Sequence, residues 1–262
     1  MKPKARQAPL LPSRLLSGSG DGQANQIRSM FSSIARRYDF LNRLLSIGLD
    51  QRWRTRAAKE LKPVHDGPIL DLACGTGDLA IKLLKSWPSV TKLVGADLSL
   101  EMLLIAQKKA AAKGYGSKVS FHQARAEHLP YKDEAFAGAA IAFGIRNFAD
   151  PLMALKEVHR LLKPGARIVV LEFSLPRGFP LGPIYRFYLT KLLPFLAGLF
   201  SDRRAYRYLA LSVSDFPAPG DFAHLITQTG FKNVSFRQLN SGIVTLYCGE
   251  RPSPCSTRTP KA

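Results

Sequence analysis

The sequence predicts a three-layer α/β/α sandwich, in which a mostly parallel sheet carries helices on both faces. Short apolar runs alternate with amphipathic helical patterns through most of the chain, as in folds built from strand–helix–strand units. A glycine-rich turn, Cys74-Gly75-Thr76-Gly77, joins the first apolar run (69–72) to the helix that follows it. Polar residues recur where the predicted strands end, and the carboxyl ends of parallel strands form the ligand-binding edge of such sheets.

Each element is placed by the period of its apolar residues and by the residues that interrupt it. Strands are predicted at 68–73, 91–97, 118–123, 136–143 and 166–173, followed by two closing strands at 231–238 and 242–249. Helices are predicted at 78–86, 99–113, 151–162, 202–212 and 219–229. The helix over 151–162 is expected to end at Lys163-Pro164-Gly165, because proline and glycine both interrupt a helix.

The folded domain is predicted over residues 27–250. Residues 1–26 contain Lys2, Lys4, Arg6 and Arg14 but no acid before Asp21, which is typical of a disordered basic tail. Residues 251–262 are rich in proline, serine and threonine and are predicted as a second disordered tail. Between residues 27 and 62 a helical pattern breaks at Gly48. This pattern indicates either two helices that pack on the domain or a lid over its ligand site that also meets an anionic surface.

The charge of the chain indicates an anionic partner. There are 38 basic and 19 acidic residues, a formal net charge of +19, and a membrane surface, a nucleic acid and an acidic substrate all fit this excess. The sequence has no RNA-binding signature or zinc finger, so we expect no nucleic acid and instead a peripheral contact with an anionic membrane. Three cysteines without a C-x-x-C pair and five histidines without ligand spacing predict no metal site. Without a secretory signal, a cytoplasmic location at or near the inner membrane is expected.

The glycine-rich turn is compatible with two nucleotide-like ligands. Gly75, Gly77 and Ala80 match the dinucleotide fingerprint G-x-G-x-x-A, and Asp97 follows Gly77 by 20 residues, where it could hold a ribose. Asp71 and Asp78 flank the turn, however, and two carboxylates would repel the pyrophosphate of NAD. S-adenosylmethionine (SAM) has no phosphate and carries a sulfonium and an ammonium group, which suit acidic neighbours. The charges therefore favour SAM, with NAD as the alternative.

Further candidate residues follow the other predicted strands. Asp97 ends the second strand, where its carboxylate can accept both ribose hydroxyls, while Ser99 is available to cap the next helix. The turn over 123–127 either holds an adenine edge through backbone groups or is an ordinary loop. Arg146 follows the fourth strand, and its permanent charge can stabilise a phenolate or enolate oxygen. The apolar segment 178–200 is either a helix that covers the sheet or a wall for an apolar substrate.

Several short motifs occur in order along the chain. The most specific is Tyr38-Asp39-Phe40-Leu41-Asn42, followed by Ser46, Gly48 and Trp53. The others are L-D-L-A-C-G-T-G-D at 70–78, F-G-I-R-N at 143–147, R-L-L-K-P-G-A with L-E-F-S between 160 and 174, and Y-R-Y-L-A at 206–210. Together they resemble the ubiquinone/menaquinone-biosynthesis C-methyltransferase family (UbiE/MenG), from about Phe31 to Gly249. In this resemblance Leu41 replaces a methionine and Asp50 replaces the usual histidine.

The resemblance implies the class I SAM-dependent methyltransferase fold, a Rossmann-like seven-stranded sheet whose last strand is antiparallel. It implies C-methylation of a polyprenylated quinol, either demethylmenaquinol or the matching ubiquinone precursor, with SAM as the methyl donor. Carried over by position, Thr76, Asp97 and the Arg125-Ala126 pair would bind SAM beside Gly75 and Gly77. The partners expected are the polyprenyl quinol, an anionic membrane surface and a second copy of the chain in a homodimer.

The resemblance also leads to a hypothesis for the chemistry. A quinol ring carbon attacks the SAM methyl group in line, and loss of a phenolic proton raises the electron density of the ring. Arg146 is the cation predicted to stabilise the resulting oxygen anion. Tyr38, with Asp39, is predicted to orient the quinol or to relay the proton. A SAM methyltransferase for another small molecule and a nucleic-acid-binding protein are the alternative functions.

Overall fold

The computed structural model describes residues 20–64, 67–176, 180–192 and 203–253. Its helices are α1 (Gly20–Leu45), α2 (Leu49–Glu60), α3 (Asp78–Ser86), α4 (Leu100–Ala112), α5 (Pro151–Leu161), α6 (Leu181–Phe187), α7 (Arg203–Asp215) and α8 (Pro219–Gln228). Its strands are β1 (Ile69–Leu72), β2 (Leu93–Asp97), β3 (Val119–Gln123), β4 (Phe136–Ala142), β5 (Leu162–Phe173), β6 (Lys232–Leu239) and β7 (Val244–Glu250). The predicted tails over 1–19 and 254–262 lie outside the described residues.

All seven strands join one sheet in the order β3-β2-β1-β4-β5-β7-β6. Strands β1 to β5 pair in parallel with their neighbours, and β7 runs antiparallel to both β5 and β6. This confirms the predicted α/β/α class and its antiparallel last strand. The strand order reverses direction between β1 and β4, so the crevice at their carboxyl ends is the place where such sheets bind ligands.

Two elements begin four or more residues before their predicted bounds. The first helix begins at Gly20, inside the segment predicted as a basic tail, rather than at residue 27. Strand β5 begins at Leu162 rather than at residue 166, directly after α5 ends. Its pairing with β4 is irregular there, since Leu162 pairs with Phe136 and Arg167 with Gly138. Pro164 and Gly165 follow the end of the helix as predicted, and they lie in this irregular part of β5, where Gly165 has φ +78°.

The core has two layers, one on each face of the sheet. On one face α5 and α8 pack on the strands through Leu155, Val158, Phe222 and Ile226. On the other face α2 and α3 pack through Trp53, Ala57, Leu79 and Leu83. Neither layer covers the carboxyl end of the sheet, and α1 lies over that end.

A third apolar cluster joins α1, α6 and α7 above that end of the sheet. It includes Ile34 and Leu41 from α1, Tyr185 and Leu189 from the α6 region, and Val213 from α7. The predicted apolar segment 178–200 is described only over 180–192, where α6 continues into a π-helical turn, Tyr188–Leu192. Among the described helices, none is long and apolar enough to cross a membrane.

Candidate active site

The glycine-rich turn between β1 and α3 has two glycines in the left-handed region, with φ +53° at Gly75 and +79° at Gly77. L-residues rarely adopt this region, and glycine does so without steric cost. A Cβ on Gly77 would lie 3.0 Å from the Cβ of Ala106 on α4, so Gly77 also permits close packing of that helix. A Cβ on Gly75 would meet nothing within 4 Å. Gly75 therefore borders open space that a ligand can occupy.

Asp97, at the end of β2, is fixed by two backbone donors. The backbone N–H of Gly75 donates to Oδ2 at 2.8 Å, and that of Ser99 donates to Oδ1 at 2.9 Å. Burial raises the pKa of Asp97, although these backbone donors oppose the shift. Ser99 caps α4 by accepting a hydrogen bond from the Met102 N–H at 3.3 Å, as predicted. Asp97 is thus oriented but retains acceptor capacity for a pair of hydroxyl groups.

A first cavity, here called the cofactor cavity, lies over the ends of β1, β2 and β4. Four of the predicted cofactor-binding residues line it: Gly75, Asp97, Arg125 and Ala126. Its roof comes from α1 through Ile27, Arg28, Phe31 and Tyr38. Thr76 and Gly77 are not among its lining residues. Most of the predicted set therefore meets at one cavity, although the residues belong to separate loops.

Asp71 lies on β1 just before the glycine-rich turn and does not line the cofactor cavity. Its side chain is 1% exposed, and neither carboxylate oxygen has a hydrogen-bond partner among the described residues. Burial raises the pKa of Asp71 to about 8, Arg54 opposes the shift, and Asp97 and Asp78 add to it. With this pKa, Asp71 is mostly protonated at neutral pH and carries little charge. The end of α3 that would have to bind a pyrophosphate begins with Asp78, and the Gly75 N–H already donates to Asp97. The residues present therefore fit SAM and do not fit NAD.

Lys109 on α4 joins the lid helix α1 to the glycine-rich turn. Its Nζ lies 2.5 Å from Asp39 Oδ2 on α1 and 2.6 Å from Asp78 Oδ1 on α3. The Thr76 hydroxyl donates to Asp39 Oδ1 at 2.6 Å. Burial alone would raise the pKa of Asp78, but Lys109 and Arg54 hold it below its ordinary range. We call Asp39, Thr76, Asp78 and Lys109 the Lys109 cluster.

The Lys109 cluster accounts for two predicted site residues. Asp39 was predicted to act with Tyr38 in proton transfer, but consecutive helical residues point about 100° apart. The structure accordingly places Tyr38 on the cavity wall and the Asp39 carboxylate on Lys109. Thr76 was predicted to contact SAM, and its buried hydroxyl instead holds Asp39. Both side chains fasten α1 over the cofactor cavity.

A second cavity, here called the apolar cavity, encloses about 270 Å³ between α1, α2, α6 and α7. Its walls are mostly aliphatic and aromatic, and the aromatic members are Phe31, Tyr38, Trp53, Phe143, Phe173, Tyr185, Tyr188 and Tyr208. Phe31, Tyr38 and Phe143 also line the cofactor cavity. The two cavities therefore meet at these three side chains, and a group bound in one can reach a group bound in the other.

Arg146 lies in the wall of the apolar cavity, buried beside Glu172 of β5. Its Nη1 donates to Glu172 Oε1 at 2.6 Å and to the Phe143 carbonyl at 2.7 Å. The guanidinium carbon lies 5.5 Å from the centre of the Phe173 ring. Its Nε is buried and has no hydrogen-bond partner in the described part of the chain. Glu172 offsets much of the positive charge, so Arg146 offers an oriented hydrogen-bond donor more than a bare cation.

Comparison with known proteins identifies the chain. Residues 20–251 match the model of the ubiE/COQ5 methyltransferase family. The chain belongs to this family. It is 44% identical over 229 residues to the ubiquinone/menaquinone biosynthesis C-methyltransferase UbiE of Geotalea daltonii, which covers 87% of this chain and 97% of that protein. It is 48% identical to the demethylmenaquinone methyltransferase of Thermus thermophilus, covering 85% of this chain and all of the other.

Solved structures agree on the fold. The [4+2]-cyclase SpnF aligns with a TM-score of 0.64 at 17% identity, over 88% of this chain and 97% of its own. A SAM-dependent methyltransferase from Thermotoga maritima aligns with a TM-score of 0.56 at 22% identity, over 85% and 99%. Membership of the ubiE/COQ5 family, together with this fold, makes the chain a SAM-dependent C-methyltransferase. The predicted family, fold and methyl donor are confirmed, and the NAD alternative is dropped.

Sequence reasoning missed two charged side chains of the family member's site. Arg54 was not singled out from the sequence, yet it is 6% exposed, lines the apolar cavity and lies 5.0 Å from the Phe143 ring centre. Its spacing of four residues from Asp50, to which it pairs at 3.8 Å, was the available signal. Glu172, which is fully buried, could have been recognised as an acid inside an apolar strand.

Proposed function

We propose that this enzyme methylates a ring carbon of a polyprenylated quinol, and that demethylmenaquinol is its main substrate. The observation that carries the proposal is the apolar, aromatic cavity, which holds the buried arginines Arg54 and Arg146 and meets the cofactor cavity at Tyr38 and Phe143. A quinol has the same character, an apolar ring system with hydroxyl groups. The relatives named as demethylmenaquinone methyltransferases support this substrate. The ubiquinone-type precursor is the alternative, and relatives named for both pathways support it.

In the cofactor cavity, Asp97 accepts the ribose hydroxyls of SAM and Gly75 leaves room for the ligand beside the backbone. The turn at Arg125 and Ala126 borders the adenine position. When bound, SAM supplies an electrophilic methyl group. The roof from α1 excludes water from this group, which prevents its loss by hydrolysis.

In the apolar cavity, the chain's own residues hold the quinol and stabilise its charge. Arg146 donates a hydrogen bond to a quinol oxygen as the phenolic proton leaves, which stabilises the oxygen anion and keeps electron density on the ring. Tyr38 stands between the two cavities and orients that oxygen or relays its proton. Burial raises the pKa of Tyr185, so this phenol stays protonated at neutral pH and can donate a hydrogen bond. The Tyr208 hydroxyl already donates to Asn147 Oδ1 at 3.2 Å. The apolar walls between α1 and α6 accommodate the start of the prenyl tail.

Two interactions belong to the same proposal. Because a polyprenyl quinol resides in the bilayer, the enzyme contacts an anionic membrane surface peripherally, and the net charge of +19 supports this contact. A homodimer stays a prediction from the sequence.

The test is methyl transfer by the purified protein. Methyl-labelled SAM is incubated in separate tubes with reduced demethylmenaquinone and with the reduced ubiquinone-type precursor, and the extracted products are weighed by mass spectrometry. We expect one labelled methyl group on a ring carbon, with faster turnover of demethylmenaquinol. Faster turnover of the ubiquinone precursor would reverse the pathway assignment. Labelled SAM that binds but transfers nothing to either quinol would contradict the proposed substrate class.

A further inference from the structure

We propose that the outer faces of α1 and α6 form a docking surface that inserts into an anionic bilayer beside the mouth of the apolar cavity. The docking surface consists of Phe40 and Leu44 near the end of α1, Ile47 in the turn that follows, and Ile184 and Phe187 on α6. This inference rests on the proposed function, since it supplies the route by which a membrane lipid reaches the site. It assigns membrane contact to particular residues rather than to net charge.

The apolar side chains of the docking surface are unusually exposed. Ile47 is 88% exposed, Phe187 63%, Ile184 60%, Phe40 59% and Leu44 49%. Of the ten large apolar side chains exposed in the described part of the chain, these five lie on α1, on the turn that follows it and on α6. Leaving large apolar side chains in water forgoes the favourable free energy of their burial. Such a concentration marks a binding surface rather than scattered surface residues.

The docking surface is continuous with the apolar cavity. Helix α1 lines the cavity with Ile34, Tyr38 and Leu45, and the α6 region lines it with Tyr185, Tyr188 and Leu189. The Tyr188 hydroxyl donates to the Leu45 carbonyl at 2.8 Å, which ties the two walls together. Ile47 is both the most exposed of the apolar side chains and a lining residue of the cavity. The helices that form the walls therefore carry apolar side chains both toward the cavity and toward solvent. A lipid that moves from a bilayer into the cavity requires this arrangement.

The charge of the elements that carry the docking surface favours an anionic bilayer as its binding partner. Exposed cations lie on the same elements: Arg36, Arg37 and Arg43 on α1, and Arg186 and Lys191 in the α6 region. Arg43 also pairs with Asp78 at 3.3 Å. The segment 180–192 contains no acidic residue, and Asp39 of α1 is paired with Lys109. Cations close to an anionic membrane are attracted to its surface. Apolar insertion combined with a basic rim is the composition of interfacial membrane-binding segments.

The test compares binding to vesicles with catalysis in solution. Phe40 and Phe187 lie outside both cavities, so the double variant F40S/F187S removes two insertion residues and leaves the cavity walls intact. Phe236 on the edge strand β6 is 46% exposed, and F236S is the matched control. Each protein is sedimented with phosphatidylcholine vesicles that contain phosphatidylglycerol. Methyl transfer is measured separately on a water-soluble short-tail quinol and on a long-tail quinol embedded in the vesicles.

We expect F40S/F187S to bind the vesicles about tenfold more weakly and to lose long-tail turnover in proportion. We expect the F236S control to keep vesicle binding and long-tail turnover. Wild-type protein and both variants methylate the short-tail quinol at the same rate. Unchanged vesicle binding by F40S/F187S would overturn the docking surface. So would a wild-type dimer that F40S/F187S converts to monomers while vesicle binding persists, because the surface would then bind a second copy. If wild-type protein binds vesicles through these residues but methylates neither quinol, the proposed function fails and the docking surface stands.

Discussion

An Arg146→Met variant is expected to lose at least about 100-fold in kcat for the quinol while its affinity for SAM stays near the wild-type value. Arg146 lines the apolar cavity and not the cofactor cavity, so its loss removes a donor to the quinol oxygen and leaves the SAM contacts in place. The loss appears in kcat rather than in KM because the oxygen carries its charge mainly in the transition state. Single-turnover methyl transfer and equilibrium SAM binding measure the two quantities separately.

A control is needed because Arg146 also neutralises Glu172, which is fully buried and 2.6 Å away. Removing one partner of a buried ion pair costs about 3–5 kcal/mol of stability. In the double variant R146M/E172Q the uncompensated charge is gone, so we expect most of the stability to return without the activity. Folding is checked by the midpoint of thermal unfolding. If R146M/E172Q works within tenfold of the wild-type rate, Arg146 acts only in the fold.

Replacing Lys109 by methionine is expected to weaken SAM binding by about tenfold or more and to lower the free energy of unfolding by about 2–4 kcal/mol. Lys109 is the cation between Asp39 on α1 and Asp78 on α3, whose side chains are 22% and 11% exposed. Without it two poorly solvated carboxylates face each other, and α1 is pushed off the domain. Since α1 roofs the cofactor cavity through Arg28, Phe31 and Tyr38, SAM contacts are lost with it.

Two variants isolate the role of the Lys109 charge. Lys108 is an exposed neighbour on the same helix, so K108M matches the loss of one lysine and is expected to leave SAM affinity unchanged. The conservative variant K109R keeps the charge and is expected to recover most of the affinity. Limited proteolysis within α1 should become faster only in K109M. SAM affinity in K109M equal to that in K108M would show that the Lys109 cluster does not hold the lid.

The order and type of the elements were predictable from local signals. Apolar runs, the glycine-rich turn and the Lys163-Pro164-Gly165 interruption each depend on nearby residues, which is why the sheet and the helices α3 to α5 lie close to their predicted bounds. The boundaries that failed depend on tertiary contacts. Residues 20–26 join α1, and Ile27 is buried where this helix covers the cofactor cavity. Leu162 joins β5 because it pairs with Phe136 on a neighbouring strand.

The site could be predicted in part, because residues at strand ends converge whenever the sheet is parallel. In this way, five predicted residues come to line a cavity: Gly75, Asp97, Arg125, Ala126 and Arg146. Side-chain partners distant in sequence could not be read from the motifs. Asp39 pairs with Lys109, 70 residues away, and Arg146 with Glu172, 26 residues away.

We infer that the two cavities form a single reaction chamber. A structure of the ternary complex would show whether both ligands meet at the boundary between them. The protein would be crystallised with S-adenosylhomocysteine and a short-tail demethylmenaquinol under reducing conditions. We expect the ribose to bind Asp97 and the quinol ring to lie in the apolar cavity, with an oxygen within hydrogen-bond distance of Arg146. We expect the sulfur to face the ring across the boundary at Tyr38 and Phe143. A quinol bound outside the apolar cavity, or a sulfur turned away from that boundary, would contradict it.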